Sequence, residues 1–198
     1  MREMVFRACV LALCGMSVWT HVAGPTLAGE RFRPRQQSFS GPEALTMATL
    51  DTMARMDKSG FFSLYPNLPT LRRVVSAAVF PDAAGQSSEV LVAKGLKHMD
   101  RSAEKTWRAS VNAFGLRPFD WTSAKLVRLD VEKIHYPVGP DIASVSFVAY
   151  LQIEGKLFGL RFDDTLHFDG RWYLADDITF KGPIDALPPK AEPKVVRD

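Results

Sequence analysis

The sequence predicts an α+β domain: N-terminal helices packed on a curved, four-stranded antiparallel meander. Apolar residues recur at helical spacing as far as Phe114, then at every second position from Trp121 to Phe180. The gaps between the alternating runs are short, so the strands are antiparallel neighbours; a parallel crossover takes a dozen residues or more. Of the 198 residues 46% are apolar and 24% charged, a globular balance that excludes disordered, collagen-like and coiled-coil chains. The formal charge of +3 gives no strongly basic face, so no nucleic-acid partner is expected.

Residues 1–28 read as a signal peptide. Arg2 and Arg7 flank a basic start, Ala8 to Trp19 is mostly apolar, and Thr26 and Ala28 suit a cut after Ala28. The run is too short to span a bilayer. The processed chain is therefore expected to be exported, to the periplasm or beyond, with no stable membrane insertion. Leu11-Ala12-Leu13-Cys14-Gly15 offers a rival lipoprotein reading, against which Leu13 stands where a small residue is wanted. Cys9 and Cys14 are the two cysteines, so the chain after them has no disulfide, Cys-ligated metal or thiol nucleophile.

Residues 29–40, with Arg31, Arg33 and Arg35, read as a flexible basic tether. Ser40 and Glu43 have capping-box spacing, opening a helix through Leu45, Ala48, Met53 and Met56 that Gly60 stops. A second helix carries Leu71 to Val75 between Pro69 and Pro81, with Thr70 as a possible cap. A third runs from about Ser88 to Phe114, with a break allowed near Asp100, and Gly115 ends it. Strands follow at about 124–136, 142–153, 157–168 and 171–180. Residues 182–198, with Pro183, Pro188, Pro189 and Pro193, read as a Pro-rich disordered tail.

Alternation fixes a register. A two-residue Glu154-Gly155 loop pairs Phe147 with Phe162, apolar against apolar. In the last hairpin a two-residue Asp169-Gly170 loop sets Leu166 against Tyr173 and scrambles the faces. A three-residue loop that includes Arg171 restores them, pairing Phe168 with Trp172 and Leu166 with Leu174. That register is the one expected, and it sets Asp164 across from Asp176 on the apolar face.

Helices leading into a long meander that ends Phe168-Asp169-Gly170-Arg171-Trp172-Tyr173-Leu174 resemble the NTF2-like (SnoaL-like, cystatin-like) superfamily over roughly 41–180. The resemblance implies a cone around an apolar pocket, and a possible homodimer through the sheet. Phe147, Leu151, Phe158, Phe162, Trp172 and Leu174 would line the pocket. The superfamily hosts enzymes, ligand binders and assembly parts, so it does not by itself give an activity.

Opposed carboxylates on an apolar face raise at least one pKa, which suits general acid–base work. Asp164 and Asp176 are thus candidate catalytic residues, with His135 assisting from the end of the first strand. The alternative is that the sheet opens there and both acids face water or meet Arg128, Arg161 or Lys133. His98 reads as a surface residue and His167 as exposed or in a dimer contact. No histidine pair has zinc-site spacing, so no metal is expected, and no cofactor. Nucleophile-elbow, phosphate-loop and dinucleotide motifs are absent. Three functions fit: an exported non-enzymatic binding or accessory module for a small apolar molecule or protein, a cofactor-free isomerase, dehydratase or hydrolase using Asp164 and Asp176, or an envelope scaffold gripping through its basic tether and tail.

Overall fold

The computed structural model describes residues 37–77, 85–115, 120–136 and 141–197. The signal peptide, the Cys14 lipobox and the tether as far as residue 36 lie outside the described residues, as do Pro81 and Phe119. Helices come first and a mixed sheet follows, an α+β order.

Helix α1, Pro42–Ala54, starts on proline, whose fixed φ suits the first helical position and whose missing N–H costs nothing there. Its cap is Gly41 with no side-chain hydrogen bond, so the Ser40–Glu43 box does not form. Met56 takes a positive φ of 54°, and Asp57 caps a short α2, Lys58–Ser63, by accepting from the Gly60 amide at 2.8 Å. Gly60 therefore lies inside α2 instead of ending α1. A Cβ there would sit 2.2 Å from Asp57 Oδ2, which gives the glycine its reason. Helix α3, Leu68–Ala77, starts before Thr70, with Asn67 Oδ1 accepting from the Thr70 amide at 2.9 Å. Helix α4, Ser88–Gly115, runs unbroken through Asp100.

After a 3₁₀ turn at Trp121–Ser123 come β1 (Lys125–Tyr136), β2 (Ile142–Ile153), β3 (Lys156–Phe168), β4 (Arg171–Tyr173), β5 (Ile178–Ile184) and β6 (Lys194–Arg197). The expected four antiparallel strands become six in a mixed sheet of order β4-β3-β2-β1-β6, with β5 also paired to β3. The long fourth strand divides into β4 and β5, and β6 adds a parallel pair along β1.

The first hairpin has the expected register. Phe147 faces Phe162, their rings stacked at 4.6 Å. The last hairpin does not: Leu166 faces Tyr173 and His167 faces Trp172, the register of a two-residue turn. Asp169 and Gly170 both have positive φ, 54° and 66°, as a tight primed turn matching the strands' twist requires. The face mismatch is absorbed further on. Residues 174–177 leave the ladder, and β5 resumes one residue out of step, with Ile178 facing Phe162 and Phe180 facing Leu160.

The tail is not disordered where it is described. β5 runs through Pro183, and β6 pairs Lys194 with Lys133 and Val195 with Ile134. Between them the chain crosses from β3's side of the sheet to the free edge of β1. Arg128 anchors the crossing, donating from Nη2 to the Pro188 carbonyl at 2.6 Å while lying 4.9 Å over the Tyr150 ring. Val148 and Tyr150 are buried as well, although they alternate with the core row of β2.

The core joins that row to the helices. Phe61 packs 5.5 Å from Trp107, and Trp121 meets Phe158 and Phe180 at 5.8 and 5.6 Å.

Candidate functional site

The residues expected to line an apolar pocket are packed core. Phe147, Leu151, Phe158 and Phe162 have no exposed surface and Leu174 has 1%, as members of one buried cluster. Trp172 is half-buried, edge-on to Phe147 at 6.5 Å and 5.0 Å from His167. The aromatic row fills the layer between helices and sheet.

Asp164 does not continue the Phe158–Leu160–Phe162 row. Phe147 faces Phe162 but Val145 faces Thr165, so β3 carries an extra residue opposite Ser146. Asp164 absorbs it at a φ of 45°, a left-handed conformation that aspartate tolerates better than most residues. Its Oδ1 accepts from Ser144 Oγ at 2.8 Å and Ser146 Oγ at 3.3 Å, and its amide donates back to Ser146 Oγ. His135 stands directly across from Ser144 and is buried. The bulge thus gathers His135 and Asp164 around Ser144. Next to it Asp163, 3.1 Å from Arg161, has its pKa raised by burial.

Asp176 lies in the 174–177 break and turns to α4. It is 6% exposed, accepts from Ser102 Oγ at 2.9 Å, and has His98 Nε2 at 3.9 Å. His98 and Ser102 are one helical turn apart, so both face it. Tyr65 donates its hydroxyl to the Asp176 carbonyl at 3.1 Å, and burial holds that phenol far above its ordinary value. Asp177 pairs with Lys105 and accepts from Thr106. Burial, with Asp177 and Asp164 adding repulsion, pushes the Asp176 carboxyl up to about 6. Burial also lowers the pKa of His98, which favours the neutral imidazole.

Asp164 and Asp176 therefore do not form the expected facing pair. Each carboxylate has its own serine partners, because a bulge on one strand and a break in the next displaced both from the shared register. His98 and Ser102 were missed as site residues. Their i, i+4 spacing with Thr106 was visible, but nothing in the sequence says which strand segment that polar seam would meet.

An open cleft of about 360 Å³ lies beside the last hairpin. Asn67, just before α3, forms one wall with Thr70 and Arg73 of α3; Asp169, Arg171 and Tyr173 form the other, and Ser38 closes it. Arg73 Nη2 donates to Asp169 Oδ2 at 2.6 Å, and its guanidinium lies 5.3 Å over the Phe168 ring. Arg171 Nη1 donates to Ser38 Oγ at 2.7 Å. None of these side chains was a candidate site residue in the sequence; Arg73 and Asp169 are 96 positions apart.

Among the described residues no cluster of His, Cys, Asp and Glu suits a metal ion, and no helix is long and apolar enough to cross a membrane. Comparison with family models, curated proteins and solved structures gives no match for this chain.

Proposed function

We propose that this chain is an exported, non-enzymatic binding or accessory module whose grip is the polar cleft beside its last hairpin. Export rests on the signal-peptide pattern of residues 1–28. The layer order is compatible with an NTF2-like domain whose interior its own side chains fill. One observation carries the binding reading. The apolar set that would have received a greasy ligand is closed core, while the cleft is open and walled by polar side chains. The ligand or partner is therefore polar. A scaffold gripping through its tail is less favoured, because β6 is engaged on β1 of the same chain.

Native mass spectrometry of the exported protein, purified from its producing cell, tests this. The wild type should retain a small molecule or protein partner that Arg73→Gln/Arg171→Gln loses. A bare wild type, or an adduct unchanged in the double variant, would overturn it.

One observation favours a second reading, a cofactor-free acid–base enzyme. Asp176 is a buried carboxyl with its pKa raised toward neutrality, 3.9 Å from a His98 whose own pKa burial lowers. Catalysis there would have Asp176 and His98, not Asp164, exchanging the proton. Turnover abolished by Asp176→Asn with the fold intact would support it.

A further inference from the structure

We propose that the cleft is a site for an oxyanion, the carboxylate or phosphate group of a small ligand, and that Asp169 occupies it as an internal stand-in. The inference rests on the binding reading above and names what binds.

The charge is unbalanced in the right sense. Two guanidinium groups and one carboxylate line the cleft. Arg73 holds that carboxylate, whereas the partner of Arg171 among the described residues is the neutral hydroxyl of Ser38. A guanidinium presents a planar fork of donors that matches carboxylate and phosphate oxygens two at a time. Among the described residues, most of the Arg171 fork is unused.

The partner in place is exchangeable. Arg73 and Asp169 are 61% and 57% exposed, and ion pairs so open to water contribute little net stability. An oxyanion that also engages Arg171 would replace one carboxylate contact with two charged ones, so Asp169 gives way at small cost. Arg73 keeps a second contact there, its guanidinium lying 5.3 Å over the Phe168 ring, which does not depend on the Asp169 carboxylate. Asn67, Thr70 and Tyr173 line the same space and are neutral.

The hairpin explains why the stand-in is aspartate. Position 169 needs a positive φ, which Asp and Asn accept and most residues do not. Asp169→Asn therefore keeps the turn while removing the competing charge.

The test titrates the full exported chain with inorganic phosphate and, separately, with citrate, chloride at matched ionic strength serving as control. Calorimetry gives the affinity, and the Nε–Hε resonances of Arg73 and Arg171 report the place. Both resonances should move with phosphate or citrate and not with chloride. Arg73→Gln and Arg171→Gln should each weaken binding by at least about tenfold, the scale of one charge-assisted hydrogen bond. Asp169→Asn should tighten it severalfold. Tighter phosphate would identify a phosphorylated ligand and tighter citrate a carboxylic acid; either preference supports the site. Unmoved arginine resonances, or an Asp169→Asn variant that binds no tighter than wild type, would overturn it. If the host-purified protein keeps a ligand but Asp169→Asn changes nothing, this inference fails alone. If the probes behave as stated but that protein carries nothing, the binding reading fails instead.

Discussion

Ser102 donates its hydroxyl to the Asp176 carboxylate at 2.9 Å, fastening the middle of α4 to the stretch where the last strand leaves the ladder. Backbone that drops out of a sheet needs other partners. Here Leu174 donates to the Leu64 carbonyl at 2.9 Å, and Tyr65 reaches the Asp176 carbonyl. The C-terminal end of α2 and the middle of α4 thus hold the break, at the cost of burying one carboxyl.

That carboxyl should tie stability to pH. Its pKa is about 6 folded, against an ordinary 3.8, so the folded state holds the proton more tightly. The sign follows: the stabilisation is fully present below about pH 4 and is lost as pH rises through 6. Its ceiling is about 3 kcal/mol, from the size of the shift. His98 works the other way, since its lowered pKa makes protonation destabilising as pH falls. The difference between wild type and Asp176→Asn isolates the first effect. In urea melts the variant should be the more stable at pH 7, by roughly 1–2 kcal/mol because the asparagine keeps some of the cost of burying a polar group, with the gap closing toward pH 4. A constant gap across that range would refute the assignment.

Asp164 should behave as a structural bulge residue. Asp164→Ala forfeits two serine hydrogen bonds and places alanine at a φ of 45°, for a cost of about 2–3 kcal/mol. Asp164→Asn keeps an acceptor oxygen and a residue at ease there, so its cost should stay below about 1 kcal/mol. Chemical denaturation of the two variants separates them. Equal losses would mean that the charge, not the bulge, is what matters at this position.

Asp169-Gly170 shows where the sequence could be read and where it could not. At Glu154-Gly155 turn chemistry and face-matching agree, so the register of β2 on β3 follows from local information. At Asp169-Gly170 they conflict. The dipeptide favours a two-residue turn, while matching Leu166 to Leu174 demands three. The turn wins because both residues can adopt positive φ, and the conflict moves to 174–177. Partners from Leu64, Tyr65 and Ser102 make that move affordable, and contacts more than 70 positions away leave no local trace. The same distance hid the Arg73–Asp169 cleft and the exchange of the expected Asp164–Asp176 pair for Ser102–Asp176. The buried aromatic row, by contrast, was legible from alternation alone; only its role changed, from pocket to core.

The hairpin itself gives a sharp test of that balance. Gly170→Ala places a Cβ on a φ of 66° where nothing lies within 4 Å, so any loss comes from backbone conformation and not from a clash. The expected cost is about 1 kcal/mol. Gly95, inside α4 and also with open space around it, is the opposite case: Gly95→Ala should stabilise by about 0.5–1 kcal/mol. Thermal melts of the two variants should move in opposite directions, and movement in the same direction would contradict the turn geometry.

The C-terminal crossing ties Arg128 down and closes a sheet edge that could otherwise serve a second copy. Val148 and Tyr150 are buried with Arg128 stacked on the tyrosine ring and tied to Pro188. Removing residues 186–198 takes away that carbonyl and the parallel strand on β1, loosening Arg128 over Tyr150 and leaving an unpaired strand edge. The truncated chain should dimerise with rising concentration in light scattering, while the full chain stays monomeric. Arg128→Ala should move the same way more weakly, because it loosens the crossing without freeing the edge. The cleft at Arg73 and Arg171 draws nothing from this crossing. Oxyanion binding should therefore survive truncation, whereas loss of binding on truncation would show that tail and cleft are one site.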